Sequence, residues 1–147
     1  MSRTILLDAG PLGMVAHPKI NPKVAAWLRD LLASGAIVLV PEICDYEVRR
    51  ELLRANKAAS IERLDELKET LGYLPITTEA MLLAAQYWAE ARLGGRPTSK
   101  DDALDADVIL AGQAATISDD ADKPTIATTN VKHLARFAHA VHWDQIT

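Results

Sequence analysis

Thr4-Ile5-Leu6-Leu7-Asp8-Ala9-Gly10-Pro11 decides how the rest of this chain is read. Ile5, Leu6 and Leu7 form a continuous apolar run of the kind a strand buried on both faces shows, and Gly10-Pro11 stops it. Asp8 therefore falls at the carboxyl end of a strand, the edge at which open α/β sheets gather their ligands. A carboxylate there costs free energy unless a cation or hydrogen bonds compensate it. The residues after Pro11 read as a loop that lasts until the next helix signal.

That signal is Asn21-Pro22, an N-cap followed by proline at the first helical position. Val24, Trp27, Leu28, Leu31 and Leu32 give the helix one apolar face, and Gly35 ends it. Ile37-Val38-Leu39-Val40 is a second short apolar strand, and Pro41 opens a helix running to about Asn56. A charged helix from about Ser60 to Leu71 is expected to project toward solvent or a partner. Leu74-Pro75-Ile76 reads as a short extended piece, and Thr77 or Thr78 caps a helix that reaches Gly94-Gly95. A polar loop from Arg96 to Lys100 leads to a helix from about Asp101 to Thr116, with a capping-box pattern at Ser99 to Asp102. After an acidic turn, Thr125-Ile126-Ala127-Thr128 is a strand, a short helix follows, and Val141-His142-Trp143 is the last strand.

Strands alternating with helices imply right-handed crossovers and a parallel sheet covered on both faces. With 147 residues, no repeat and no linker, one three-layer α/β/α domain spanning 1–147 is expected, its sheet holding four or five strands. The single cysteine, Cys44, excludes an intramolecular disulfide framework, suits a reducing compartment and reads as a small core residue. No apolar run approaches the roughly 18 residues of a membrane span, and Asp8 interrupts the N-terminus too early for a signal peptide. A cytoplasmic protein is the expectation. The net charge of −4 argues against non-specific coating of nucleic acid, yet it leaves room for an acidic site inside a basic rim.

The helix from Asp101 to Thr116 is apolar nearly all round and therefore buried. Asp107 interrupts it on a face of small residues, Ala103, Ala111 and Ala114, where a carboxylate needs a partner. Asp105 points about 160° away from Asp107 at the ~100° step of a helix, and with Asp101 and Asp102 it suits the first-turn dipole. On the Pro41 helix, Cys44, Val48, Leu52 and Ala55 form the apolar stripe. Glu47 lies beside it, and by its spacing to Arg50, Glu51 and Arg54 it reads as one member of a salt-bridge series. Thr128-Thr129-Asn130 brings hydroxyls and an amide to the same sheet edge as Asp8, either for a site or to cap the next helix. The histidines His17, His133, His139 and His142 have no metal-ligand spacing, and Asp119-Asp120-Asp122 lacks the glycine and glutamate of a calcium loop.

Four pieces in order resemble the PIN-domain ribonucleases, specifically the VapC-type toxins of toxin–antitoxin pairs. They are Leu7-Asp8-Ala9-Gly10-Pro11-Leu12, then Pro41-Glu42-Ile43 with Tyr46-Glu47-Val48-Arg49-Arg50-Glu51-Leu52, Asp105-Ala106-Asp107-Val108-Ile109-Leu110-Ala111, and Ala127-Thr128-Thr129-Asn130-Val131. The resemblance spans nearly the whole chain. It implies a PIN-like fold and makes Asp8, Glu47 and Asp107 the first three acids of the site, with Thr128 as its hydroxyl. Asn130 falls at the fourth acid's position, so the chain departs there by one charge, and His133 stands where relatives are often acidic. Asp105 is a further candidate ligand if the helix begins irregularly.

The implied cofactor is Mg²⁺ or Mn²⁺, hard cations that take oxygen ligands. The implied reaction is hydrolysis of phosphodiester bonds in single-stranded RNA, with Asn130 and Thr128 positioning a water or phosphate. Arg49, Arg50, Arg54 and Lys57, or Arg92, Arg96 and Lys100, are candidates for phosphate contacts. The implied partners are a cognate antitoxin, expected in a groove between the charged third helix and the Glu47 helix, and a second copy in a homodimer. A catalytically weak or inactive PIN module that binds RNA or protein is the alternative. A haloacid-dehalogenase-like phosphatase is excluded, because it needs an aspartate two residues after the first and Gly10 stands there.

Overall fold

A computed structural model describes residues 3–94, 101–119 and 122–147, and the side chains of all of these except residues 101 and 102. Strand β1 (Thr4–Leu7) lies at the centre of a five-stranded sheet together with β2 (Ile37–Pro41), β3 (Gly72–Leu74), β4 (Thr125–Thr128) and β5 (Ala140–His142). The order is β3-β2-β1-β4-β5, and every pairing is parallel. Helices α1 (Ala9–Val15), α2 (Pro22–Ala33), α3 (Glu42–Arg54), α4 (Ala58–Thr70), α5 (Thr78–Leu93), α6 (Asp101–Thr116) and α7 (Val131–Leu134) complete three α/β/α layers. Ile5, Leu6 and Leu7 are at most 1% exposed, as a central strand of a parallel sheet requires.

Chain direction across this sheet places the site. From β1 the chain adds β2 and β3 on one side, then crosses to add β4 and β5 on the other. The switch point lies outside the carboxyl ends of β1 and β4, where the two flanking crossovers diverge and leave a crevice. Asp8 follows β1 and Thr128 ends β4, so both stand at that crevice.

The expected loop after Asp8 is instead helix α1. Asp8 is its N-cap: the side chain accepts from Ala9 N at 2.8 Å and the carbonyl accepts the first helical bond from Leu12 N at 2.9 Å. Glycines and a proline argue against a helix interior, but Pro11 sits in the first turn, where the missing N–H has no acceptor to lose. Gly10 serves close approach, since a Cβ there would stand 2.7 Å from Thr129 Oγ1. The turn after β4 thus packs against the start of α1.

Other boundaries follow from caps. Gly35 (φ +86°) and Asn56 (φ 55°) both end helices in left-handed geometry. The Ala36 amide returns to Leu31 O, and the Lys57 amide to Leu52 O, a Schellman closure in each case. The third edge strand is Gly72–Leu74, earlier than the expected Leu74-Pro75-Ile76. Pro75 has no N–H for the ladder, and the Ile76 amide donates to Glu42 Oε1 at 2.7 Å instead. Helix α4 does not project away: Ser60, Leu64 and Leu67 are buried, and only its charged face meets solvent. The capping-box residue Ser99 and the loop Arg96–Lys100 lie outside the described residues. Among the described residues no helix is long and apolar enough to cross a membrane.

Candidate metal centre

Asp8 is held on both oxygens. Oδ1 accepts from Ala9 N, and Oδ2 accepts from the hydroxyl of Thr128 at 2.7 Å. Thr128 is fully buried and in turn accepts the Asn130 amide at 2.9 Å, so its hydroxyl is committed to orienting the carboxylate. Among the described residues no cationic side chain is hydrogen-bonded to this carboxylate.

Helix α3 brings the second acid. Its first turn is anchored by Gln113 of α6, only 1% exposed, whose Nε2 donates to Leu74 O at 2.8 Å and whose Oε1 accepts from Ile43 N at 3.4 Å. One buried amide therefore ties β3, α3 and α6 together, which fixes the helix of Glu47 against the helix of Asp107. On the other side of α3, Asp45 is buried and takes two hydrogen bonds from Arg49, which also donates to Asp65 of α4 at 2.6 Å. Arg49 is thus a clamp between α3 and α4 and not the free phosphate contact expected of it. Arg54 pairs with Glu51, while exposed Arg50 lies over the Tyr46 ring and bears electrostatically on Glu47. Arg96 and Lys100 lie outside the described residues.

Glu47 is half-buried beside Asp8, in contrast to a solvated salt-bridge series. Ligand atoms of Asp8, Cys44 and Glu47 all lie within 4.8 Å of one another. Burial first, and then the Asp8 and Asp107 charges, push the Glu47 carboxyl up to about 7, with Arg50 pulling the other way. Asp107 enters from α6, half-buried. Its carboxyl is raised to about 6 by burial and by Asp8, against His133 and Arg136. Three carboxylates gathered in a partly dehydrated crevice repel one another, which is the condition a divalent cation relieves. The donor set fits such an ion: Asp8 and Glu47 offer neighbouring oxygens, Asp107 adds its charge from α6 outside that 4.8 Å group, and Thr128 orients Asp8.

The remaining expected residues fall elsewhere. Asn130 is exposed at the start of α7, its side chain makes no cap hydrogen bond, and only its backbone joins the Thr128 contact. His133 Nδ1 stands 3.9 Å from Asp107 Oδ2, so an imidazole faces the third acid. Asp105 is exposed and lines a hollow of about 400 Å³ with Met81, Trp88 and Ile109, on the α5 side of α6. It is not among the gathered acids. Reading along the chain missed Cys44 and Gln113. Cys44 looked like part of an apolar stripe, but its buried thiol donates to Asp8 Oδ1 at 3.8 Å. Gln113 is one polar residue in an apolar helix, the same signal that singled out Asp107.

The raised carboxyls carry a stability consequence for the ion-free protein. Glu47 and Asp107 hold their protons more tightly folded than unfolded, so between their ordinary values of 4.5 and 3.8 and the raised values of about 7 and 6 the folded state binds more protons. Stability is then highest at the acid end of that window and falls as pH rises through it. Solvent still reaches both half-buried groups and screens them, so the loss is about 1 kcal/mol each, less than the full shift at ~1.4 kcal/mol per pH unit implies. Glu47→Gln is expected to raise the stability of the chelator-treated protein by about 1 kcal/mol at pH 7.5 and to flatten its pH profile. Urea unfolding between pH 5 and 8 measures this, and a destabilised Glu47→Gln would contradict the reading.

Neither a family profile nor a curated protein matches the sequence. Solved structures do match over nearly the full length. FitAcB from Neisseria gonorrhoeae superposes with a TM-score of 0.69 at 21% identity, covering 97% of this chain and 99% of the other. VapBC2 from Rickettsia felis, bound to a DNA fragment from their promoter, gives 0.73 at 15% identity over 96% and 99%. VapBC-1 from nontypeable Haemophilus influenzae gives 0.71 at 19% identity over 96% and 98%. In fold, the chain is similar to these VapBC and FitAcB structures: it is a three-layer α/β/α, PIN-like domain.

Proposed function

We propose that this chain is a metal-dependent endoribonuclease that cuts single-stranded RNA, acting as the toxin of a toxin–antitoxin pair. The observation that carries the proposal is the pairing of Asp8 with Glu47, whose ligand atoms lie within 4.8 Å of each other, beside Asp107 of a third element, whose charge bears on Glu47 and which feels that of Asp8. Mg²⁺ or Mn²⁺ held by these carboxylates supplies charge neutralisation for the scissile phosphate and activation of a water. The protein's own part is orientation: Thr128 holds Asp8, Gln113 holds α3 against α6, and Arg50 offers the near cation for a phosphate oxygen. Among the described residues no unpaired side chain stands out as a general base. Asn130 and Asp105, both exposed, are secondary to this set.

A hollow of about 430 Å³ between α1 and α3, lined by Gly10, Gly13, Glu47, Arg50 and Leu52, adjoins the acids. A second of about 570 Å³ continues from Leu52 to Lys57 and Ser60 at the start of α4. An antitoxin segment laid along these two hollows would cover Glu47, in keeping with complexes such as VapBC and FitAB among the structural neighbours. A homodimer and a cytoplasmic setting complete the proposal. Incubating the purified protein with an unstructured RNA and its duplexed form, with Mg²⁺, with Mn²⁺ and with chelator, tests it. Cleavage of the single strand alone, dependent on the ion, is expected. A protein that binds no divalent ion and leaves both RNAs intact, indistinguishable from Asp8→Ala, is instead a non-catalytic binding module.

A further inference from the structure

The thiol of Cys44 has no role in an all-oxygen site, yet it is aimed into one. Cys44 is fully buried on α3, one helical turn before Glu47, and its Sγ lies 3.8 Å from Asp8 Oδ1 within the group of ligand atoms that span no more than 4.8 Å. Three protein donors of mixed sulfur and oxygen character suit a different ion from the one three carboxylates suit. A tetrahedral ion bound at about 2.0–2.3 Å sets its ligand atoms roughly 3–4 Å apart, so small side-chain rotations close the group around it. Thiolate ligation selects Zn²⁺ over Mg²⁺ by softness, and the affinity series of first-row divalent ions places Zn²⁺ above Mn²⁺.

We propose that Asp8, Cys44 and Glu47 form a zinc site that overlaps the Mg²⁺ site, so that Zn²⁺ competes with the activating ion for the same two carboxylates. This inference rests on the metal-dependent reading above and concerns which ion the crevice retains. On binding, the Cys44 S–H bond breaks, a sulfur–zinc bond forms, and the proton leaves to solvent; no electron is transferred. A four-coordinate ion with three protein ligands keeps one open position, whereas Mg²⁺ prefers six and retains several waters. The zinc-loaded crevice therefore has less room for both a phosphate oxygen and a water.

Co²⁺, a spectroscopic stand-in for Zn²⁺, tests the ligation directly. Titrated into the chelator-treated protein, it is expected to produce a thiolate-to-cobalt charge-transfer band that one equivalent of Zn²⁺ removes. Mn²⁺ binding, followed by the loss of its free-ion paramagnetic resonance signal, reports the carboxylates independently. In Cys44→Ser the charge-transfer band should vanish and Zn²⁺ affinity should fall by at least about tenfold, with a cooperative melt showing that the variant is folded; Cys44→Ala is the second variant should serine disturb the core. Cobalt bound to the wild type without that band overturns the zinc site and leaves the Mg²⁺ reading intact. Equal Zn²⁺ affinity in wild type and variant does the same. If Mn²⁺ does not bind either, both readings fail together.

Discussion

Asp8→Asn is expected to lower the rate of ion-dependent RNA cleavage by at least about a thousandfold, a barrier increase of roughly 4 kcal/mol. The substitution keeps size and shape, so it isolates charge. Asp8 is the acid fixed on both oxygens, by Ala9 N and Thr128, and its charge is felt by Glu47 and Asp107 alike. Removing it takes away one anionic ligand and turns a two-sided acceptor into a group with an NH₂ facing a donor. Folding should survive. The loss of one negative charge relaxes repulsion on the other two acids, so the chelator-treated variant should melt no lower than about 2 °C below the wild type, within the spread expected of a change under 1 kcal/mol. Single-turnover cleavage of a labelled RNA and calorimetric titration with Mn²⁺ measure the two losses together. Activity within tenfold of wild type would remove Asp8 from the mechanism.

Gly112→Val should cost about 3 kcal/mol of stability and lower Tm by roughly 10 °C. Gly112 of α6 stands where a Cβ would run into the backbone of Ala80 in α5, and a backbone carbonyl cannot rotate aside as a side-chain tip can. Two helices in such close approach respond by separating, which exposes the small cluster of Ala84, Leu104 and Val108 between them. The same movement shifts α6, and with it Asp107 and Gln113, so cleavage should fall along with stability. Urea denaturation with an unchanged m-value checks the first effect. A change under 0.5 kcal/mol, well inside the range of ordinary surface substitutions, would show that α5 yields without resistance.

The elements that read correctly from the chain have local causes. Apolar runs at 4–7, 37–40 and 125–128 become strands β1, β2 and β4, and Gly35 and Thr77 do at helix ends what their chemistry suggests. Helix α1 was hidden because Gly10, Pro11 and Gly13 all count against helix, while the cap that starts it belongs to Asp8, already assigned to chemistry. Asp107 was legible as an anomaly, an acid on a face of alanines. Glu47 was not: its spacing to Arg50 and Glu51 satisfies a surface pattern, and only the resemblance to PIN domains raised it.

The sequence by itself determined the strand run, the alternation that forces a parallel sheet, and an aspartate at the carboxyl end of the first strand. These follow from periodicity and turn chemistry, which act over a few neighbouring residues. Only the tertiary structure decided which groups meet Asp8. Cys44 lies 36 residues away and Thr128 lies 120 away, and their contacts arise from strand order and helix packing. No local pattern records that a thiol on an apolar stripe faces a carboxylate, because the stripe's chemistry is set by what packs against it. Asp8 acquired its neighbours from the switch in strand order between β1 and β4, and the acid crevice exists because the chain crosses there.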